Sequence, residues 1–470
     1  MSKGKELTKN TILIFIGRFC TQFISFILIP IYTRFLLASD YGYIDLIQSY
    51  ISLLVPIIIL RFDSAIFRFL IDERKNEENQ QIIISNTVFL ILLQIIILFI
   101  SSVILSQFIE INNIVYIIIN VISLAISNIV LQLTRGIGDN KGYALSCIIS
   151  ALITIVFSFL FIVVLKMTGI SILIVSSLAN FGCSLFLIFR NKVYKYIKFK
   201  KRNKLQLKKM LKYSIPMIPD GLSWWIVNVS DRTIISFLLG SAFNGVYAIS
   251  CKFSNILASL FQIFNMSWQE SASLYIDSND NKMFFSNVLL VSYKIFYSIC
   301  LFILGIMPLI YPIVVGTNYN ESYVYIPVLL LGNLVNSIGN VFGGIYIAKK
   351  NTKEVAKTTM LGALVNIILN ILFIKYMGLW AAALSTLISY IVVALYRYID
   401  SRKYLKLIID YNFFVISLLF FSISLIFYYI NNLYLNIVNI LLIVICIFVI
   451  NKDYIILIKD KLLSKTKSNI

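Results

Sequence analysis

Histidine is absent from the whole chain, and charge of either sign is scarce. Without imidazole there is no histidine metal ligand and no histidine proton relay near neutral pH. Asp, Glu, Lys and Arg together make up 13% of the 470 residues, about half the share of roughly 25% in a soluble domain. That charge leans one way, with 41 basic residues against 21 acidic and a formal net charge of +20. The six cysteines (Cys20, Cys147, Cys183, Cys251, Cys300, Cys446) fall in apolar segments without pairing or metal-ligand spacing. They read as small buried apolar side chains. No metal site, catalytic centre or cofactor is expected.

What fills the chain instead is apolar surface, 59% of all residues, with a mean hydropathy of +0.89. Fourteen runs are long enough to cross a bilayer, which takes about 17–25 residues as a helix. They begin with 11–37 and 41–62 and end with 411–430 and 433–450. The expected fold class is an all-α integral membrane protein of about 14 transmembrane helices. The connecting loops leave no room for a soluble catalytic domain. The N-terminal MSKGKELTKN runs straight into the first apolar stretch with no small-residue cleavage site, so that stretch reads as a first membrane span rather than a signal peptide. With the N-terminus inside, 33 of the 41 basic residues fall on the inner side. An excess of that kind marks cytoplasmic loops and predicts both termini in the cytoplasm. Richness in Ile, Asn and Lys is a compositional hint of an AT-rich bacterial genome.

The segment RNKVYKYIKFKKRNKLQLKKMLKY (190–213) carries eleven positive charges and no acid. Interleaved Tyr and Phe would also suit a nucleic-acid patch, but a juxtamembrane basic linker against anionic headgroups is the favoured reading, and no nucleic-acid partner is expected. This linker divides six spans from eight. A weak repeat supports the division: Phe35–Leu37 matches Phe237–Leu239 at an offset of 202, and Gly42 matches Gly245 at 203. The expected organisation is a six-helix bundle (1–189), a basic cytoplasmic linker (190–212), a pseudo-symmetric six-helix bundle (213–400), and two additional helices with a basic tail (401–470). Parallel repeats of this type enclose a substrate cavity between them.

Five cations lie inside or at the inner edge of spans: Arg18, Arg61, Arg232, Lys252 and Lys294. A charge at the bilayer centre costs about 2.5–3.5 kcal/mol on insertion scales, so this set implies a wet interior that handles an anion. At about 1.5 Å of rise per residue, Arg18, Arg61 and Lys294 fall nearer the inner face, and Arg232 and Lys252 nearer the outer. Guanidinium presents a planar donor fork that suits phosphate, and Lys acts as a point charge. Helix-to-helix ion pairing is the competing explanation, yet only Asp45, Asp220 and Asp231 are embedded as partners. Asp231 and Arg232 are adjacent, point to different faces and pair poorly with each other. Arg61 suits an interfacial snorkelling residue as well.

Span 7 contains YSIPMIPDGLSWWIVNVSDRTII (213–235), with Pro216, Pro219 and Gly221 in one turn. Proline breaks the helical hydrogen-bond ladder, and Asp220 within that break suits either an H⁺ or Na⁺ coupling site or a cap for the restarting helix. Pro30 in span 1 is a milder hinge candidate. Asn333, Asn336 and Asn340 recur along span 10, and Asn366 and Asn370 along span 11. These are cavity polar candidates, though interhelical hydrogen bonding explains them as well. GIGDNKG (136–142) lacks a preceding strand and phosphate-loop spacing, so it is no nucleotide site.

The opening KNTILIFIGRFCTQFISFILIPIYTRFLLASDYGYIDLIQSY (9–50) resembles the start of Wzx-type polysaccharide flippases. These belong to the MATE-like superfamily of multidrug, oligosaccharidyl-lipid and polysaccharide exporters. Pro-x-Tyr-Thr-Arg at 30–34, Tyr-Gly at 41–42, RFDSAIFRF through Arg68 and the stretch from Asp231 to Gly245 carry the likeness. The resemblance implies a flippase for undecaprenyl-pyrophosphate-linked oligosaccharide repeat units in the bacterial cytoplasmic membrane, working by alternating access. The pyrophosphate would supply the anion, with H⁺ or Na⁺ coupling through Asp220 or Asp231. Membrane lipids and the polymerase and glycosyltransferases of the same pathway would be its partners. A lipid II flippase shares fold and cavity sign. A MATE-type multidrug antiporter would need an acidic cavity, against an embedded balance here of about +5 to −3. A polymerase or membrane glycosyltransferase would need a larger outer loop than 310–321, which carries only Glu321.

Overall fold

The computed structural model describes residues 24–108 and 113–452, apart from the side chains of 105, 106, 219–228 and 352. Among the described residues there are sixteen α-helices and no strand, as expected where a lipid environment forces each segment to satisfy its own backbone groups. The chain divides into two compact units, Met1–Ala248 and Ile249–Ile470. The first contains α1 (Ile29–Phe35), α2 (Ala38–Ile58), α3 (Phe62–Asp72), α4 (Glu77–Ser106), α5 (Ile114–Ile137), α6 (Asn140–Ser158), α7 (Ile170–Arg190), α8 (Lys204–Ser214) and α9 (Ile218–Leu238). The division falls within α10 (Ser241–Tyr275). The second unit continues with α11 (Asn281–Val314), α12 (Ile326–Ala348), α13 (Thr352–Met377), α14 (Leu379–Ser401), α15 (Tyr411–Ile430) and α16 (Leu433–Ile450).

Among the described residues, twelve helices are long and apolar enough to cross a membrane. The other two of the fourteen expected spans are span 1, which begins outside the described residues and continues as the apolar helix Ile24–Phe35, and span 7. Span 7 starts later than its apolar run suggests. Residues 211–214 close α8, a 3₁₀ turn spans Ile215–Met217, and α9 begins at Ile218 with Pro219 in its first turn. The prolines therefore do not interrupt a membrane helix. They sit where the missing N–H would have no intrahelical partner anyway. The 21 residues of α9 still give it about 31 Å.

In the first unit, polar side chains join the helices inside apolar surroundings. Asn120 of α5 donates to Leu173 O (3.0 Å) and Ser177 Oγ (3.1 Å) of α7. Arg74 closes the C-terminus of α5 by donating to Gly136 O (2.8 Å) and Arg135 O (3.0 Å), where a cation also meets the negative end of the helix dipole. The basic segment 190–212 is fastened to α4: Lys198 N donates to Ser85 Oγ (2.8 Å), and Asn86 exchanges hydrogen bonds with Asn203 in both directions. It belongs to the first unit rather than standing apart from it.

In the second unit, tyrosines play the same part. Tyr297 donates to Ser417 O of α15 (2.6 Å). Tyr323 and Tyr428 stack at 4.2 Å and each donates to the other's carbonyl. Gly339 lets α12 approach α14 closely, since a Cβ there would lie 3.3 Å from Ala394. Small residues at such contacts replace the hydrophobic drive that lipid removes.

Candidate functional site

The repeat seen in the sequence becomes a contact. Gly42, near the start of α2, and Gly245, near the start of α10, meet backbone to backbone. A Cβ on Gly42 would lie 1.8 Å from Ser241 O, and one on Gly245 would lie 2.1 Å from Ala38 O. Neither position accepts a side chain. Asn244, fully buried, donates to Gly42 O at 2.7 Å. This junction fixes α2 beside α9, which leads into α10.

The fixed register brings Arg232 of α9 to Asp45 of α2, with Nε 3.3 Å from Oδ2. Arg232 Nη1 donates to Ser49 Oγ at 2.9 Å, one turn along α2. Tyr50 donates to Thr233 Oγ1 at 3.1 Å alongside. The Asp45 side chain keeps 9% exposure and Arg232 keeps 20%. Arg232 is thus anchored from one side and still reachable. Its chain neighbour Asp231 turns the other way and accepts from Tyr247 of α10 at 3.1 Å, as adjacency on a helix requires. A guanidinium held by a carboxylate and a hydroxyl is preorganised for a second, anionic ligand.

Arg61 lies past the other end of α2, whose last residue is roughly 20 Å from Asp45 at 1.5 Å per residue. Leu60 and Arg61 both have positive φ (50° and 54°), a left-handed turn that side chains with a Cβ adopt at a cost of about 1–2 kcal/mol. Arg61 Nη2 reaches Ser64 Oγ at 3.5 Å, and its Nε is buried without a hydrogen-bond partner. Burial pushes the neighbouring Asp63 carboxyl up, against the pull of Arg61. Within the first unit the cations therefore occupy two separate levels.

Lys252 (α10) and Lys294 (α11) belong to the second unit, both half-buried. Lys294 Nζ lies 5.4 Å from the Phe413 ring centre, within cation–π reach. Arg18 lies outside the described residues, as does the side chain of Asp220. Of the asparagines, Asn366 and Asn370 are sealed at 2% and 0% exposure, with Asn366 bonded to Thr386 of α14. Asn333 is buried and donates to Ser254 O of α10. Asn333 and Asn366 thus join neighbouring helices, and all three asparagines are sealed from open surface. Asn336 and Asn340 are half-buried and bonded to each other at 3.2 Å.

One buried cation escaped the sequence reading. Arg397 is 3% exposed and lies within α14. Its partners are all neutral: Thr358 Oγ1, Thr359 Oγ1, Asn340 Oδ1 and Gly339 O. The glycine spacing 339 and 343 on α12 was the available signal, since a Cβ at Gly343 would lie 3.1 Å from Arg397 Nη1.

Residues 7–269 match the model of a family described as polysaccharide biosynthesis protein. The chain belongs to that family. A comparison with curated proteins finds no match. Solved structures share the fold of this polysaccharide biosynthesis protein. An inward-facing multidrug resistance MATE family transporter of the MOP superfamily aligns with TM-score 0.67 at 13% identity, covering 81% of this chain and 94% of that one. The lipid II flippase MurJ in an inward closed conformation aligns with TM-score 0.65 at 19% identity, over 96% and 100%. An outward-facing MATE family transporter aligns with TM-score 0.56 at 15% identity, over 84% and 94%. Family and fold together make the chain a multi-pass membrane protein of the polysaccharide biosynthesis family that shares its fold with these transporters.

Proposed function

We propose that the protein translocates undecaprenyl-pyrophosphate-linked oligosaccharide repeat units across the bacterial cytoplasmic membrane by alternating access. Both termini, which lie outside the described residues, would be cytoplasmic, and the polymerase and glycosyltransferases of the same pathway would be its working partners. The observation that carries the reading is Arg232: a guanidinium inside an apolar bundle, anchored by Asp45 and Ser49 yet 20% exposed. Such a group recognises phosphate oxygens through its planar fork. The family description supplies the sugar-polymer context. Movement coupled to H⁺ or Na⁺ through Asp231 or Asp220 is a further part of the proposal, supported by the burial of Asp231 against Tyr247.

Lipid II is the second reading, because it presents the same pyrophosphate and the lipid II flippase MurJ shares the fold over the full length of its chain. A charge swap separates site from scaffold. Asp45→Arg combined with Arg232→Asp keeps an ion pair but moves the cation to the other helix. The expected result is near-wild-type protein level with translocation lost, followed in proteoliposomes with a polyprenyl-pyrophosphate-linked disaccharide. Translocation restored to wild type by the swap would make the pair purely structural and sink the assignment. Comparing that disaccharide with lipid II in the same vesicles decides between the two cargoes.

A further inference from the structure

We infer that segment 191–213 is a structured strap that binds anionic phospholipid headgroups at the end of the first unit's membrane helices. The strap starts where the span Ile170–Arg190 ends and is fastened to the third and fourth turns of α4. Lys198 N and Tyr196 O bond to Ser85 Oγ, Asn203 pairs with Asn86, and the Arg202 guanidinium lies 3.8 Å from the Phe89 ring centre. Val193 and Met210 are buried at 5% and 0%. The chain therefore holds this segment in one place level with the end of the apolar helices.

What it presents outward is chosen. On α8, Met210 and Ser214 are buried and Leu207 and Leu211 half-buried, forming one face at helical spacing. The opposite face carries Lys204, Lys208, Lys209 and Lys212, all exposed, and in the middle of them Leu205 at 73% exposure. None of these four lysines is within ion-pair distance of a carboxylate among the described residues, whereas Arg190 and Lys201 pair with Asp139 and Glu78. Tyr194 and Phe199, about half exposed, continue the apolar element through the preceding turns. A solvated face has no use for a leucine centred among lysines. An interfacial helix does, since the leucine enters the acyl boundary while lysine stems lie along it and their ammonium groups reach lipid phosphates. Uncompensated positive charge selects anionic over zwitterionic lipid, and screening by salt follows.

The test uses full-length protein in nanodiscs of pure phosphatidylcholine or of phosphatidylcholine with phosphatidylglycerol, followed by amide hydrogen exchange. Exchange across 204–213 should slow about threefold or more in the anionic discs and recover in high salt. Leu205→Ser, and separately Lys208→Gln with Lys212→Gln, should each remove that slowing while exchange at 83–90 of α4 stays at wild type. Equal exchange in both disc types overturns the proposal. So does slowing that both variants leave intact, because the lipid would then act elsewhere. A labelled DNA oligonucleotide that protects the same amides in detergent where phosphatidylglycerol does not would replace the lipid surface with nucleic acid.

Discussion

Arg397 shows what a single buried cation demands. Its guanidinium is compensated only by hydroxyl and amide dipoles from α12 and α13, so each hydrogen bond must be made for the charge to be tolerated. Arg397→Met leaves Thr358 and Asn340 without their donor and should cost about 1–3 kcal/mol, seen as a lower melting temperature in detergent. Arg397→Lys keeps the charge but cannot reproduce the fork, and should fall between the two. Asp139 behaves differently because it lies outside the spans. Burial lifts its carboxyl, but the bonds from Arg190 and the Gly142 N–H outweigh that and hold it below the ordinary value. A depressed folded value stabilises above the unfolded pKa and is lost as pH falls. Melting temperature should therefore drop below about pH 4, and Asp139→Asn should lower the plateau at pH 6–8 and so flatten that acid limb.

At the scale of elements, the junction of α2 with α10 depends on two missing side chains. Gly42→Val would force its Cβ into Ser241 O and separate Asp45 from Arg232 as a consequence. The expected outcome is loss of both protein level and translocation. Gly240 provides the contrast. Its φ is +107°, but nothing lies within 4 Å of an added Cβ. Gly240→Ala should therefore cost only backbone strain, about 1 kcal/mol, with translocation retained. The existence of these helices was plain in the apolar runs, because every membrane span must satisfy its own backbone. Where α9 starts was not. Pro216 and Pro219 look alike in the sequence, and only the docking of α8 shows that one lies in a connecting turn and the other in a first turn. The fastening of 190–212 was hidden for the same reason, since Ser85 and Asn86 are more than 100 residues from their partners.

Across the whole chain, the sequence exposed the charges but not their partners. Arg232 and Asp45 were both visible as embedded residues, yet their pairing needs α2 and α9 side by side, a contact of sequence separation that no local pattern encodes. The asparagine stripes divided only once burial was known, with Asn366 bonded to the next helix, Asn370 sealed and Asn336 half-open. What survives every such correction is the sign. Arg232 and Arg61 in the first unit and Lys252 and Lys294 in the second lie in or beside apolar helices, while Asp45 and Asp231 are the buried acids among the described residues. A molecule of that balance should prefer a soluble pyrophosphate ester to an organic cation. Farnesyl pyrophosphate should raise the melting temperature of detergent-purified protein. The rise approaches about 2.7 kcal/mol of added stability at a hundredfold excess over the dissociation constant. Farnesyl monophosphate should do less, having fewer oxygens for a guanidinium fork. Arg232→Gln should weaken the pyrophosphate effect more than Lys294→Gln, because a point charge gives up less directional bonding than a planar fork. Stabilisation by tetraphenylphosphonium exceeding that by the pyrophosphate would reverse the sign of the cargo and favour a drug antiporter.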